Sequence, residues 1–433
     1  MTVRGWTRAK LGDLGKDGRP ALKAGPFGSS LKKEIYALRG FKIYGQEQVI
    51  ADDAHIGDYY IDAETFQSLR SCEVVPGDVL LSLVGTIGRV MVVPKDAEPG
   101  IINPRLVRLS VDTSRAVPDF IKCILESPDT VRKLIRWSQG GTMDVLNAGV
   151  LAALPVELPS PPEQLKIAAI GAAWQSGASR LEALVEAKRT HKRGLMQQLL
   201  TGRKRFKEFE GQEWRSFALG EILNFEPRVV TKPKGAFLAA GIRSHGKGVF
   251  LKPDFEADDI ALDELFQLRT DDLVVNITFA WEGAVAIVPP GADGALVSHR
   301  FPTFTFKRSV SFPGYFRHVI RQKRFVHELG LVSPGGAGRN RVLSKSDFLR
   351  IRVELPSFEE QQRIDAVLNA SDREIELLQK QLAALKEQKR GLMQKLLTGE
   401  VRVKVGDGGR RSEVSGRREE LQEKKRNGKE HND

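Results

Sequence analysis

The sequence predicts an α+β protein: two mixed, mainly β domains joined by two long helices that pair as an antiparallel coiled coil, with an internal pseudo-twofold repeat. Three observations predict it. KRGLMQQLLTG, beginning at Lys192, returns as KRGLMQKLLTG, beginning at Lys389, with a single change, Gln198 against Lys395. A sustained apolar heptad leads into each copy. Upstream of each heptad lie stretches rich in β-branched residues and broken by glycine, which read as strands.

The repeat extends well beyond those residues. LPVELPSPPEQLKI (Leu154 to Ile167) answers IRVELPSFEEQQRI (Ile351 to Ile364) without a gap. GDVLLSLVGTIGRVMVVP (Gly77 to Pro94) answers DDLVVNITFAWEGAVAIVPP (Asp271 to Pro290), and INPRLVRL weakly answers VSHRFPTF. Even the starts agree, WTRAKLGDL at Trp6 with WRSFALGEI at Trp214. A tandem duplication with a period near 200 residues fits all of these. Most of the length difference falls between Leu14 and Gly77, where GPFGSSLKKEIYALRG and KGAFLAAGIRSHGKGV barely resemble each other. A common scaffold carrying two different recognition surfaces would look like this.

Taken in order, the elements are a first body over residues 1–160, a helical region over 161–202, a second body over 203–358, a second helical region over 359–399, and a charged tail over 400–433. DVLLSLVGTIGRVMVV and DLVVNITFAWEGAVAIV read as strands, PDFIKCILESPDTVRKLI and PGYFRHVIRQKRFVHEL as shorter helices. GTIG reads as a bulge or tight turn within its strand pattern. Proline suits the first turn of a helix, so Pro161 and Pro162 mark where the first heptad begins.

In the second heptad, Ile364, Leu368, Ser371, Ile375, Leu378, Leu382, Leu385, Lys389, Leu392 and Leu396 alternate at steps of four and three. The same register in the first gives Ile167, Gly171, Trp174, Ala178, Leu181, Val185, Lys188, Lys192, Leu195 and Leu199. Small Gly171 and Ala178 answer Leu368 and Ile375, so two equivalent helices can interlock. A helix of about 38 residues is roughly 57 Å long, longer than a small domain is wide, which favours a pair over two helices each lying on its own domain. An antiparallel arrangement gives both copies the same environment and brings Gly399 back towards Trp6. Lys and Arg suit the helix C-termini, with Gly202 and Gly399 just past them. Near identity of the two ends predicts that both meet the same kind of surface, such as two copies of one partner. The tail, with ten basic and eight acidic residues, reads as disordered.

The chain has 433 residues, 41% of them apolar, and a net charge of +12. That balance favours an anionic partner, most simply nucleic acid. The two cysteines, Cys72 and Cys123, form no CxxC; this argues against a disulfide framework or a zinc site and suits the cytoplasm. MTVRGWTRAKLG has no apolar signal core, and no run is long and apolar enough to predict a membrane span.

Catalytic patterns are missing: no GxxxxGK[ST] phosphate loop, no HExxH, no GxSxG elbow. Asn103-Pro104 is followed by Arg105 and Leu106, without the second proline and aromatic of an amino-methyltransferase pocket. The chain is therefore predicted to be noncatalytic and to bind no cofactor or metal. Binding patterns are better represented. In GPFGSSLKK, glycines permit close approach, Ser29 and Ser30 can bond phosphate oxygens, and Lys32 and Lys33, with Lys23 just upstream, supply charge. In the second body Arg243, His245 and Lys247 share a Gly-rich loop, and Arg339, Asn340 and Arg341 lie on another. Arg can pair with guanine and Asn with adenine in the major groove, while Lys mostly meets phosphate.

The repeated LP…EQ…I followed by a long helix ending in KRGLMQ.LLTG resembles the specificity subunit of type I DNA restriction-modification enzymes. GPFGSSLKK, GTIGRVMVVP and INPRL also resemble that family's target-recognition domains. The resemblance covers roughly residues 5 to 400. It implies two target-recognition domains, each reading half of a bipartite, asymmetric site on double-stranded DNA, and helical regions that set the spacing. It further implies two methyltransferase subunits, which use S-adenosylmethionine, and a restriction (translocase) subunit, which uses ATP and magnesium. Lys192, Arg193 and Met196, with Lys389, Arg390 and Met393, are the expected partner-facing positions. FAWEGAV replaces the usual GTIG strand in the second domain. The competing expectation is a coiled-coil adaptor that holds two identical proteins without reading DNA.

Overall fold

The computed structural model describes residues 3–16, 18–26, 30–83, 86–138, 148–333 and 342–405. Two compact units emerge, Met1–Arg180 with Leu382–Asp433, and Leu181–Gln381. The division passes through the middle of both long helices, so each unit holds the start of one and the end of the other.

Both units are built from the same parts. In the first, Thr7–Lys10 pairs antiparallel with Pro155–Leu158, placing Thr7 opposite Leu158. In the second, Arg215–Ala218 pairs likewise with Arg352–Leu355, Arg215 opposite Leu355. The first unit then has a four-stranded sheet in the order Leu22–Ala24, Leu106–Leu109, Val79–Ser82, Val90–Val92. Its counterpart runs Leu223–Phe225, Thr303–Phe306, Leu273–Val275, Val285–Ile287. A further sheet in each unit contains a single parallel pairing, Phe41–Tyr44 with Gly100–Ile102 and Phe237–Arg243 with Leu296–Val297.

The central strands are apolar on both faces because each separates two cores. Val79 and Leu81 face one cluster with Leu11 and Phe120, while Leu80 faces another with Ile43 and Ile101. Leu273 and Val275 divide from Val274 in the same way. Such alternation is the period-two geometry of a strand expressed in a fully buried sheet. The shorter helices expected in each body are broken in two: Pro118–Leu125 then Pro128–Ser138, and Pro313–Val319 then Lys323–Leu331. Pro128 disfavours helix at the residue before it, which separates the first pair.

The long helices span Pro161–Leu199 and Phe358–Leu397. Every heptad position predicted for the seam is buried or half-buried, and none is exposed. In the first unit, Gly171 lies against Met393 and Gly177 against Leu385, so the partner number falls as the helix advances. In the second, Lys188 pairs with Glu374 at 2.6 Å and Lys192 with Asp372 at 2.5 Å. The helices are antiparallel within both units.

Each helix ends inside the unit opposite to the one in which it began. Leu199 and Leu200 join the core around Phe304 and Phe348, and Leu396 joins the core around Leu11 and Phe120. Burying one such leucine is worth about 1.5–3 kcal/mol. Gly202 and Gly399 then turn left-handed at φ 68° and 70°. The amide of Lys204 reaches back to Gln198 O, and that of Val401 to Lys395 O, closing the helix ends in the same way. Three residues past each glycine, Arg205 grips Glu360 and Arg402 grips Glu163.

The EQ that opens each helix also has a matched role. Gln164 Oε1 accepts from Val117 N while its amide nitrogen donates to Arg115 O and Pro159 O. Gln361 makes the same three bonds, to Phe312 N, Val310 O and Pro356 O. Near identity of the two helix ends is thus matched in part by equivalent internal contacts.

Candidate nucleic-acid interface

In the first unit the basic loop leaves the sheet at Gly25. A Cβ there would sit 1.9 Å from Asn103 O, so only glycine lets this loop lie against the Asn103-Pro104 turn. Lys23 is half-buried on the strand before it, and Ser30, Lys32 and Lys33 are exposed beyond it. Ser29 lies outside the described residues. Arg105 is exposed at the next corner; its amide donates to Asn103 Oδ1 at 2.9 Å, and its guanidinium lies 3.4 Å from Gln46 Oε1. Gln46 Nε2 in turn donates to Ser82 Oγ at 2.7 Å, and Ser82 Oγ is 3.0 Å from Thr86 Oγ1. The structure therefore joins the INPRL corner to the GTIG turn through Gln46. Thr86 stood in a motif already singled out, but nothing local pointed to Gln46.

In the second unit Arg243, His245 and Lys247 share the tip of a long antiparallel hairpin, Phe237–Arg243 with Gly248–Phe255, and all three are exposed. A two-stranded ribbon of this kind fits a DNA major groove. The tip is fixed rather than free. His245 N donates to Glu282 O at 2.8 Å, Gly246 N to Gly283 O at 2.9 Å, and Ser244 Oγ to Glu282 Oε2 at 2.7 Å. Arg321 Nε donates to Gly246 O at 3.1 Å from the other side. Arg243 lies over the Phe250 ring, 5.4 Å from its centre. Arg339, Asn340 and Arg341 fall outside the described residues.

Two buried acids precede the equivalent central strands Val79–Ser82 and Leu273–Val275. Asp78 accepts from Arg19, Ser110 and the Val75 amide; Asp272 accepts from Arg228 and the Arg269 amide. Burial holds both carboxyls above their ordinary range, against the lowering effect of those bonds. Among the described residues no group of three or more His, Cys, Asp or Glu is placed to hold a metal ion.

The six expected partner-facing positions divide. Arg193 and Arg390 are exposed. Lys192 instead pairs with Asp372, and Lys389 Nζ donates to Gln175 Oε1 at 2.6 Å, so both lysines serve the helix seam. Met393 is buried against the first unit's core and Met196 is half-buried. The periodic pattern carried this correction, since Lys192 and Lys389 are themselves heptad positions.

No protein-family model matches the chain. It is 23% identical over 373 residues to the putative type I restriction enzyme MjaX specificity subunit of Methanocaldococcus jannaschii, covering 80% of this chain and 83% of that protein. It is 24% identical over 271 residues to the MjaVIII specificity subunit of the same organism, covering 58% of this chain and 63% of that one. Two solved structures share the fold. The type I restriction-modification S subunit from M. genitalium aligns with TM-score 0.52 at 16% identity, over 90% of this chain and 96% of that one. The HsdS subunit from Thermoanaerobacter tengcongensis aligns with TM-score 0.50 at 17% identity, over 92% and 98%. No helix among the described residues is long and apolar enough to cross a membrane.

Proposed function

We infer that this chain, which resembles type I specificity subunits in sequence and in fold, is the DNA-reading subunit of a type I restriction-modification complex. The observation that carries the reading is the pairing of a shared scaffold with unlike surfaces. The EQ motif and the Arg–Glu pairs past the helix ends make equivalent contacts in both units. The proposed readers do not: a lysine-bearing loop and the Gln46–Arg105 corner in one unit, a basic hairpin tip in the other. One chain with two readers suits a bipartite, asymmetric site.

On this reading the chain is noncatalytic. Adenine methylation with S-adenosylmethionine belongs to two methyltransferase subunits, and ATP- and magnesium-dependent translocation and cleavage belong to a restriction subunit. The paired helices set the spacing between half-sites and offer their exposed faces to the methyltransferases. The complex works in the cytoplasm, where its DNA is. A scaffold that held two proteins without reading DNA would have no use for a fixed basic hairpin.

The test is an exchange. Replacing residues 23–39 with the corresponding loop of a relative should change one half of the motif methylated by the assembled complex and leave the other intact. Both halves changing together would contradict independent readers.

A further inference from the structure

The hairpin tip of the second unit borders a cleft of about 770 Å³ lined by His245, Trp281, Arg321, Lys323 and His327 among others. Three features give it one chemical character. Cationic and imidazole groups dominate its rim, and His245, Arg321, Lys323 and His327 are all exposed. Its one lining carboxylate, Glu282, is engaged by Ser244 Oγ at 2.7 Å. One wall is the nine-residue helix Lys323–Leu331, which faces the cleft along its flank from Lys323 to Leu331. Lys323 and His327 stand one turn apart on that face.

Among the described residues the first unit does not repeat this set of side chains. In the repeat alignment Glu126 stands where Arg321 is, Pro128 where Lys323 is, and Thr86 where Trp281 is. The cleft is thus a property of one reader and not of the common scaffold. It is far too small for a duplex but has room for a phosphate and the edge of its sugar.

We propose that this cleft holds a backbone phosphate of the bound DNA strand, with Lys323 and His327 as its side-chain donors, beside the hairpin tip that Arg321 fixes. The proposal rests on the DNA-reading function and adds a contact specific to the second unit. Such a contact positions the hairpin on its half-site but carries no base preference.

The test measures duplex affinity of the full chain across a range of potassium chloride concentrations. Two duplexes are used, one carrying the motif recovered from methylation maps and one unrelated. Lys323→Ala and Lys323→Ala/His327→Ala are compared with the parent chain. Lys323→Arg serves as the conservative variant, and Lys380→Ala, at an exposed ion pair elsewhere on the second long helix, as the control. The double variant should bind both duplexes about tenfold more weakly, as expected for losing a charged hydrogen bond. Its salt slope should fall by about 0.9 for the lost contact. Lys323→Arg should restore the slope, and Lys380→Ala should leave it unchanged. An unchanged slope in the double variant would overturn the proposal. So would a loss confined to the motif duplex, which would mean base readout. If inorganic phosphate at matched ionic strength displaced DNA from the variant as readily as from the parent chain, the two would not be competing for the cleft, which also overturns it. Failure of the parent chain to prefer its motif duplex would instead count against the DNA-reading function, while the slope on the unrelated duplex would still report on the cleft.

Discussion

Arg205 grips Glu360 through Nε and Nη2 at 3.0 and 2.5 Å, tying the chain just past the end of the first long helix to the first turn of the second. Glu360 is only 1% exposed, so this bond is made away from water. Arg402 and Glu163 repeat the bond at 2.7 Å, but there the arginine side chain is 45% exposed. Bonding to the carboxylate raises the affinity of both guanidinium groups for their proton.

Truncating the buried arginine should therefore cost more than truncating the exposed one. Arg205→Ala strands a buried carboxylate, and breaking such a pair costs on the order of 3 kcal/mol. Arg402→Ala should cost less: Glu163 is also buried, but the Arg402 side chain is 45% exposed, so solvent already screens that pair. Urea unfolding of the two variants checks the order. Equal losses would mean that burial does not decide the value of these pairs.

The glycines that follow the helices predict a second asymmetry. Gly202 and Gly399 both sit at positive φ, which costs a non-glycine residue roughly 1–2 kcal/mol. A Cβ on Gly399 would also come within 2.8 Å of Val3, whereas at Gly202 the nearest atom, in the Trp214 ring, is 3.3 Å away. Gly399→Ala should lower the melting temperature more than Gly202→Ala.

Two other glycines of the repeated motif, Gly194 and Gly391, lie inside helices with nothing within 4 Å of a built Cβ. Alanine there should stabilise the isolated chain by roughly 0.5–1 kcal/mol per site, because glycine is a poor helix former. The internal contacts give no reason to keep them. A partner backbone approaching closely would. On the proposed assembly, Gly194→Leu/Gly391→Leu should therefore leave the chain folded yet weaken its binding to a methyltransferase subunit, measured by co-purification and by calorimetry. Undiminished binding would place the partner elsewhere on the helices.

Acid stability should depend on Glu98. Its carboxylate accepts from the buried Lys42 ammonium at 2.8 Å, and that bond holds the carboxyl below its ordinary range. A depressed carboxyl contributes stability that is present above the unfolded value of about 4.3 and is lost as pH falls through the lower folded value. Glu98→Gln should thus destabilise the chain modestly at neutral pH, since the Glu98 side chain is 45% exposed and screened by solvent, and the gap from the parent chain should close as pH falls through the depressed carboxyl value. Thermal melts across pH check it; a gap that widened on acidification would reverse the sign.

Much of the fold was legible because it is periodic. The seam positions from Ile167 to Leu199 and from Ile364 to Leu396 follow from the heptad alone, down to the lysines at 192 and 389. Their partners were not legible. Lys192 meets Asp372 across 180 residues of chain, and no local pattern encodes that. The same holds for the binding surface. Composition and loops pointed to Lys32, Arg105 and His245 one by one, but Gln46 reaches Arg105 only through the sheet order. Lys323 and His327 lie in PGYFRHVIRQKRFVHEL, which the sequence marks only as helical; the sheet topology puts the hairpin tip beside them.

The most direct test of the two-reader account is a map of N6-methyladenine in DNA modified by the assembled complex. Two short fixed blocks separated by a gap of constant length and unspecified sequence are expected, with the 23–39 exchange rewriting one block only. A single contiguous motif, or methylation that follows no motif, would contradict it.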